Sequence, residues 1–128
     1  MLSVSPDNVC RLVELAREFH AQEAVTIPED PANPSGDWAV QMLASHADDA
    51  SFLEFKAIVD DLEPDQQQEL VALLWLGRED YGRPEWRDAL AQAADSWNPQ
   101  TAEYLIAHPL LASYLEKGLD LHGYQCNE

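Results

Sequence analysis

The four residues Gly77-Arg78-Glu79-Asp80 follow a long apolar run, and their types suit the binding of an anion. The planar guanidinium of arginine donates paired hydrogen bonds to a carboxylate or a phosphate, so Arg78 is a candidate ligand-binding residue. The same side chain also suits an ion pair within the molecule. We favour the ion pair, because arginine is the usual cation of partly buried pairs and a single glycine-arginine step is a weak motif.

Histidine and cysteine are too scattered to predict a metal site. No two histidines have the i,i+4 spacing of a zinc-binding helix, and no Cys-x-x-Cys pattern is present. The histidines are His20, His46, His108 and His122. Acidic residues crowd at 48–49 and 60–65, but the central glycine of a calcium loop is missing. We therefore predict no metal and no cofactor.

No catalytic constellation stands out in the sequence. It contains no nucleophile elbow, no phosphate-binding glycine loop and no dinucleotide fingerprint. Nothing singles out one pair of carboxylates for acid–base catalysis among so many. We name no catalytic residue, and an enzymatic role, although left open, is not favoured.

The net charge indicates which partners the surface favours. Seven basic residues stand against 24 acidic ones, so the formal net charge is −17 and the pI is near 4.2. Such a field repels phosphate backbones and anionic membranes, and we predict neither direct nucleic-acid binding nor membrane binding. A basic protein is the natural partner. The alternative is that the acid only keeps the protein soluble, and the oligomeric state stays unknown.

Length and composition indicate one domain in the cytoplasm. The 128 residues, 46% of them apolar, can bury a core without a metal or a disulfide. No apolar run approaches the roughly 20 residues that span a bilayer, and the N-terminus lacks signal-peptide features. In the cytoplasm Cys10 and Cys126 are expected to be free thiols, although they could pair if the termini meet.

Helical periodicity and helix-start signals predict about six to seven helices. Ser5-Pro6-Asp7 predicts a first helix that runs to about residue 23. The segment 25–36 holds three prolines and is predicted to be an extended surface connection. Further helix starts follow at Asp37 and at 48–49.

A helix over about 64–81 is predicted to lie at the centre of the molecule. Residues 70–76 are apolar all round, and helices of that kind are covered on several sides. Burying each large side chain there contributes about 1.5–3 kcal/mol. Gly77 is placed in its last turns, where another backbone passes close by, and Gly82 competes for the role of C-terminal cap.

Proline divides the rest of the chain into three shorter helices. They are predicted to start at Pro84, after Asn98-Pro99 and at Pro109, and the last runs to about Leu121. No strand-like alternation persists and no repeat is evident. The sequence thus predicts an all-α, single compact domain over residues 1–128 around the helix at about 64–81.

Four segments together resemble a family of small acidic bacterial proteins known as a domain of unknown function (family 3775). They are NVCRLVELAREF (8–19), ELVALLWLGRED (69–80), TAEYLIAHPLLASYLEKGL (101–119) and GYQC (123–126). That family typically has glycine-arginine-glycine where this chain has Gly77-Arg78-Glu79, and often an acid in place of His20. The resemblance implies a cytoplasmic helical domain with both cysteines as family features, and it implies no activity.

Five positions match the motifs of that family: Arg17, Gly77, Arg78, Tyr104 and Pro109. Because cations are scarce, we expect Arg17 and Arg78 to bridge buried carboxylates where the first helix meets the end of the central one. Three functions stay open. We favour an acidic, non-enzymatic adaptor domain for a protein partner over a small-ligand or enzyme site around the two arginines, and over an acidic mimic of nucleic acid.

Overall fold

The computed structural model describes residues 2–21 and 49–126, and every regular element in these two ranges is helical. This confirms the all-α prediction. The α-helices are α1 (Pro6–His20), α2 (Ala50–Asp61), α3 (Pro64–Gly77), α4 (Trp86–Ser96), α5 (Thr101–Ile106) and α6 (Leu111–Leu121), and a short 3-10 helix (Arg83–Glu85) precedes α4. The predicted connection at 25–36 and the helix start at Asp37 lie outside the described residues.

Side-chain caps lie at the starts of α1 and α2, where the sequence predicts helix starts. Ser5 Oγ accepts a hydrogen bond from Asp7 N at 3.2 Å, and the next residue, a proline, is the first of α1. At the start of α2, Asp49 Oδ1 accepts from Phe52 N at 3.0 Å. Each cap gives an acceptor to a backbone N–H that has no partner within its own helix.

The central position predicted for α3 is confirmed. All residues from Leu70 to Gly77 are buried, and even Trp75 is only 4% exposed. α3 packs most extensively against α6 and α4, while α1 packs against α2 and α6. A single apolar core therefore contains residues from both described ranges. None of the helices in these ranges is long and apolar enough to cross a membrane.

α3 ends at Gly77, somewhat before the predicted end near Tyr81. The reason lies in the next two residues. Arg78 keeps a right-handed φ of −81°, but Glu79 has a φ of 71°, in the left-handed region, and turns the chain out of the helix. Helices commonly end on such a residue, and glycine is its usual type.

Two hydrogen bonds complete this helix end. Glu79 N donates to Leu76 O at 3.1 Å, and Asp80 N donates to Trp75 O at 2.9 Å. Together they form the Schellman motif, which gives partners to carbonyls that the helix leaves unpaired. The left-handed residue that follows α3 and completes this motif is therefore a glutamate, Glu79.

Cys10 and Cys126 form a disulfide, so the expectation of two free thiols is wrong. Their Cα atoms lie 5.5 Å apart although 116 positions separate them in the sequence. They meet because α6 packs against α1 and because Gly123, with a φ of 88°, turns the chain after α6. Neither the amino-acid composition nor the expected cellular compartment indicates that these two cysteines lie close together in the fold.

Candidate functional site

α3 and α6 cross at two glycines, one on each helix. A Cβ atom added to Gly77 would lie 1.9 Å from the carbonyl oxygen of Tyr114, and one added to Gly118 would lie 2.6 Å from that of Leu73. The later residue of one helix meets the earlier residue of the other, so the helices are antiparallel here. The structure thus places Gly77 where the sequence predicts a close backbone approach, and it adds Gly118 as the matching position.

Gly82, the other predicted capping residue, lies outside α3. It precedes the 3-10 helix, and its N–H donates to Glu85 Oε1 at 2.6 Å. A Cβ atom at this position would meet only side-chain atoms, the nearest at 3.4 Å. Space therefore demands glycine at Gly77 and Gly118, but not at Gly82.

The guanidinium of Arg78 turns back onto its own loop. Its Nε lies 2.9 Å and its Nη2 2.8 Å from Asp80 Oδ2. The arginine side chain is 17% exposed, whereas that of Asp80 is 40% exposed. The described carboxylate partner of Arg78 is therefore half-exposed and only two positions away in the sequence. This ion pair stabilises the turn that follows α3.

Arg17 forms a separate ion pair. Its guanidinium binds both carboxylate oxygens of Glu116, which joins α1 to α6. Both side chains are well exposed to solvent. The described contacts of Arg17 and Arg78 lead to different, partly exposed carboxylates, and the bridging of buried carboxylates by the two arginines stays a prediction.

Tyr104 lies at the centre of a buried polar cluster that joins three helices. Trp75 Nε1 donates to its hydroxyl at 3.1 Å, and His108 Nδ1 donates to its carbonyl at 2.8 Å. From α1, His20 Nε2 donates to Ile106 O at 2.7 Å. We call His20, Trp75, Tyr104 and His108 the α5 cluster, since each of them belongs to or binds the segment of α5.

Both histidines of the α5 cluster favour the neutral form. Burial lowers the pKa of His108 to about 4, and the nearby charge of Arg78 acts in the same direction. Burial also lowers the pKa of His20. A base with a pKa near 4, as His108 has, is poorly matched to proton transfer at neutral pH. The geometry therefore favours a role for the cluster in holding α1, α3 and α5 together.

A buried carboxylate that sequence reasoning missed fastens the N-terminal segment to α3. Glu69 accepts hydrogen bonds from Ser3 N at 2.9 Å and from Val4 N at 2.7 Å, and Ser3 Oγ also donates to it at 3.2 Å. The available signal was an acidic residue directly before an apolar run. Such a buried charge is tolerable because backbone N–H groups bind it.

The seven basic residues of the sequence all lie in the described ranges. Six of them bind acceptors of the same chain. Arg11, Arg17, Lys56, Arg78 and Lys117 pair with carboxylates, and Arg83 Nε donates to Leu121 O at 2.7 Å. The basic charge is thus largely used within the molecule.

The cavities of the protein include two that are lined by described residues. One, of about 10 Å³, lies beside Tyr104 and Trp97 and is about the smallest that holds a water molecule. The other is an open groove between α1 and α2, which we call the α1–α2 groove. It is lined by Asn8, Glu54, Ala57, Ile58, Asp61 and Leu62. Neither cavity is lined by Arg17 or Arg78, and no three His, Cys, Asp or Glu side chains within 2–21 and 49–126 are grouped to hold a metal.

A family model described as "Protein of unknown function (DUF3775)" matches residues 53–124, more than half of the chain. The chain belongs to the DUF3775 family. No curated protein and no solved structure matches it. The DUF3775 match contains both crossing glycines, Arg78, Tyr104 and His108, and it leaves out the whole of α1, including Arg17. Both disulfide cysteines lie outside it, so their place among the family's features stays a prediction.

Proposed function

We propose that this DUF3775 protein is a non-enzymatic binding domain whose acidic surface engages a basic protein partner. The observation that carries the proposal is the internal use of the cations. Six of the seven basic side chains bind acceptors of the chain itself, in a protein whose formal net charge is −17. The excess acid therefore produces a negative field that attracts a positively charged surface.

Physical chemistry indicates what such a surface contributes. Complementary charge accelerates association and excludes partners of the wrong sign more than it adds affinity. Nucleic acid is excluded by the same sign rule, since its phosphates repel the domain. In this proposal Arg17, Arg78 and Tyr104 serve the fold through their ion pairs and the α5 cluster, and the binding surface is built from carboxylates.

Affinity capture at two salt concentrations tests the proposal. The full chain is immobilised, incubated with a lysate of its source organism at low salt, and eluted at about 0.5 M salt, where the screening length falls to a few ångströms. The control bait is an unrelated helical protein of the same size and net charge. We expect a basic protein that elutes only from the DUF3775 bait and binds it again after purification, measured by calorimetry.

Two results would contradict the proposal. One is that high salt releases nothing. The other is that both baits release the same proteins, which would show that the charge acts only as an ion exchanger. In a separate titration, a labelled DNA duplex replaces the basic partner, and we expect no binding at any salt concentration.

A further inference from the structure

The α1–α2 groove is formed by a second face of α2. Residues 54, 57, 58 and 61 recur at the i, i+3, i+4, i+7 spacing of one helix face. The buried residues of the same helix, Phe52, Phe55 and Val59, belong to the face that enters the core. α2 therefore contributes both to the core and to an open groove of about 480 Å³.

The floor of this groove is apolar and its two ends carry acid. Ala57, Ile58 and Leu62 supply the apolar floor, and Glu54 and Asp61 lie toward opposite ends of α2. Ile58 and Leu62 are only half-buried and pack against the core from its edge. Such an arrangement matches an amphipathic helix, which places apolar side chains in a groove and charged ones at its rim.

The two ends differ in how their charge is compensated. Arg11 Nη2 lies 2.6 Å from Glu54 Oε2, so that end is neutralised within the chain. At the other end, no Lys or Arg of the described ranges pairs with Asp61, Glu63 or Asp65. The negative charge available to a partner is therefore concentrated where α2 meets α3.

We infer that the α1–α2 groove docks an amphipathic helix of the basic partner, with apolar side chains on Ala57, Ile58 and Leu62 and a lysine or arginine beside Asp61. This inference rests on the proposed function and narrows it to one surface. Charge distinguishes this partner from two other possible occupants of the groove, residues 22–48 of the same chain and a second copy of the protein. Residues 22–48 contain five acids and no lysine or arginine, and a second copy carries the same net charge of −17. The acidic groove therefore repels both.

A synthetic peptide and two matched pairs of variants test the inference. The probe is a fluorescent helix of about 15 residues, with leucine at the i, i+3, i+4, i+7 positions and lysine elsewhere, titrated with the full chain at low salt. Ala57→Gln fills the groove at an exposed position, and Asp61→Asn removes its uncompensated charge. Ala91→Gln and Asp88→Asn make the same changes at exposed positions of α4.

Fluorescence anisotropy should show that each groove variant weakens binding by about fivefold or more, while the α4 variants bind as the parent does. Circular dichroism checks that all four remain folded. Amide NMR shifts of the parent with peptide should move at Asn8 and along α2.

Several outcomes would contradict the docking of a partner helix in the α1–α2 groove. If Asp61→Asn and Asp88→Asn weakened peptide binding equally and Ala57→Gln had no effect, the peptide would bind a diffuse acidic surface. The proposed function would then stand, but the groove would not be its binding site. No binding by the parent would reject this docking mode, whereas the capture experiment decides the function by itself. A parent dimer that Ala57→Gln dissociates, or peptide-free amide shifts within 22–48 in that variant, would show that the chain itself is the occupant.

Discussion

Glu79 holds a backbone conformation that glycine adopts more easily. Its φ of 71° places an L side chain in the left-handed region, where the Cβ atom crowds the following carbonyl. This is the position at which the Schellman motif favours glycine. In this chain the position is occupied by Glu79, whose side chain forms an ion pair with Lys117.

We expect Glu79→Gly to stabilise the protein. The change relieves the left-handed strain, while the exposed ion pair that it removes contributes little. The melting temperature should rise by about 2–5 °C. Glu79→Ala is the control, because it removes the ion pair but keeps the strain, and it should not raise the melting temperature. A melting temperature for Glu79→Gly at or below that of Glu79→Ala would contradict this account.

His108 makes stability depend on pH. Its folded pKa of about 4 lies below the ordinary histidine pKa of 6.5, so the unfolded chain binds more protons between these values. The free energy of unfolding therefore falls as pH decreases through that interval. The contribution of His108, about 3 kcal/mol, is fully present above about pH 6.5 and is lost progressively toward pH 4.

Replacing His108 by asparagine should make this dependence shallower. The amide can still donate to Tyr104 O, but it does not titrate. Urea unfolding between about pH 5 and 7 should give a slope that is smaller by up to about 1.4 kcal/mol per pH unit than that of the parent. The absolute stability will also fall, because the smaller side chain leaves space, so the slope is the decisive quantity. Parallel slopes would show that His108 does not titrate as described.

At the scale of elements, α3 combines three kinds of contact along its length. Its first turns bind other segments through buried polar side chains, as when Gln67 Nε2 donates to Val59 O at 2.7 Å. Its middle fills the core with large apolar residues. Its last turn approaches α6 so closely that only glycine fits at Gly77. Short polar anchors, apolar burial and a close crossing together determine where α3 lies.

The crossing predicts a graded series of alanine substitutions. Gly77→Ala places a methyl group against the backbone of Tyr114 and should destabilise by about 3 kcal/mol or more, at the upper end for overpacking. Gly118→Ala meets the backbone of Leu73 at a longer distance and should cost about 1–3 kcal/mol. Gly82→Ala, the control, should change stability little. The measurement is urea unfolding followed by circular dichroism, and an equal effect at all three positions would contradict the crossing geometry.

At the scale of the whole molecule, the disulfide opposes the repulsion of like charges. A net charge of −17 favours expanded states, because acidic residues separate when the chain unfolds. The Cys10–Cys126 bond encloses most of the chain, and closing so long a loop limits the expansion of the unfolded state. Salt should act in the same direction by screening the repulsion.

Removing the disulfide should therefore destabilise the protein substantially. We expect Cys10→Ser and Cys126→Ser each to cost about 2–5 kcal/mol, and the double variant to cost no more than either single one. A reductant should lower the melting temperature of the parent and leave the double variant unchanged. Thiol alkylation with mass spectrometry, before and after reduction, verifies the bond. Two alkylated thiols in the unreduced parent would contradict it.

Local sequence patterns were sufficient for the existence of the described α-helices and for the central position of α3. Proline starts, the caps at Ser5 and Asp49, and the apolar run at 70–76 act over a few residues, so they can be interpreted without knowing the tertiary neighbours. The candidate site was predicted less completely. Gly77 lies at a close approach to another backbone, but the partner helix and the matching Gly118 belong to a segment about forty positions away. Local periodicity carries no information about contacts between such distant residues.

Packing alone brought together the features on which function and stability depend. The disulfide, the Glu69 anchor, the α5 cluster and the α1–α2 groove each join residues that are distant in the sequence, and their energies exist only once the helices are assembled. The left-handed glutamate at position 79 shows the same limit within a single turn. Buried apolar contacts around α3 outweigh the local cost of a left-handed glutamate, so tertiary packing determines where that helix ends.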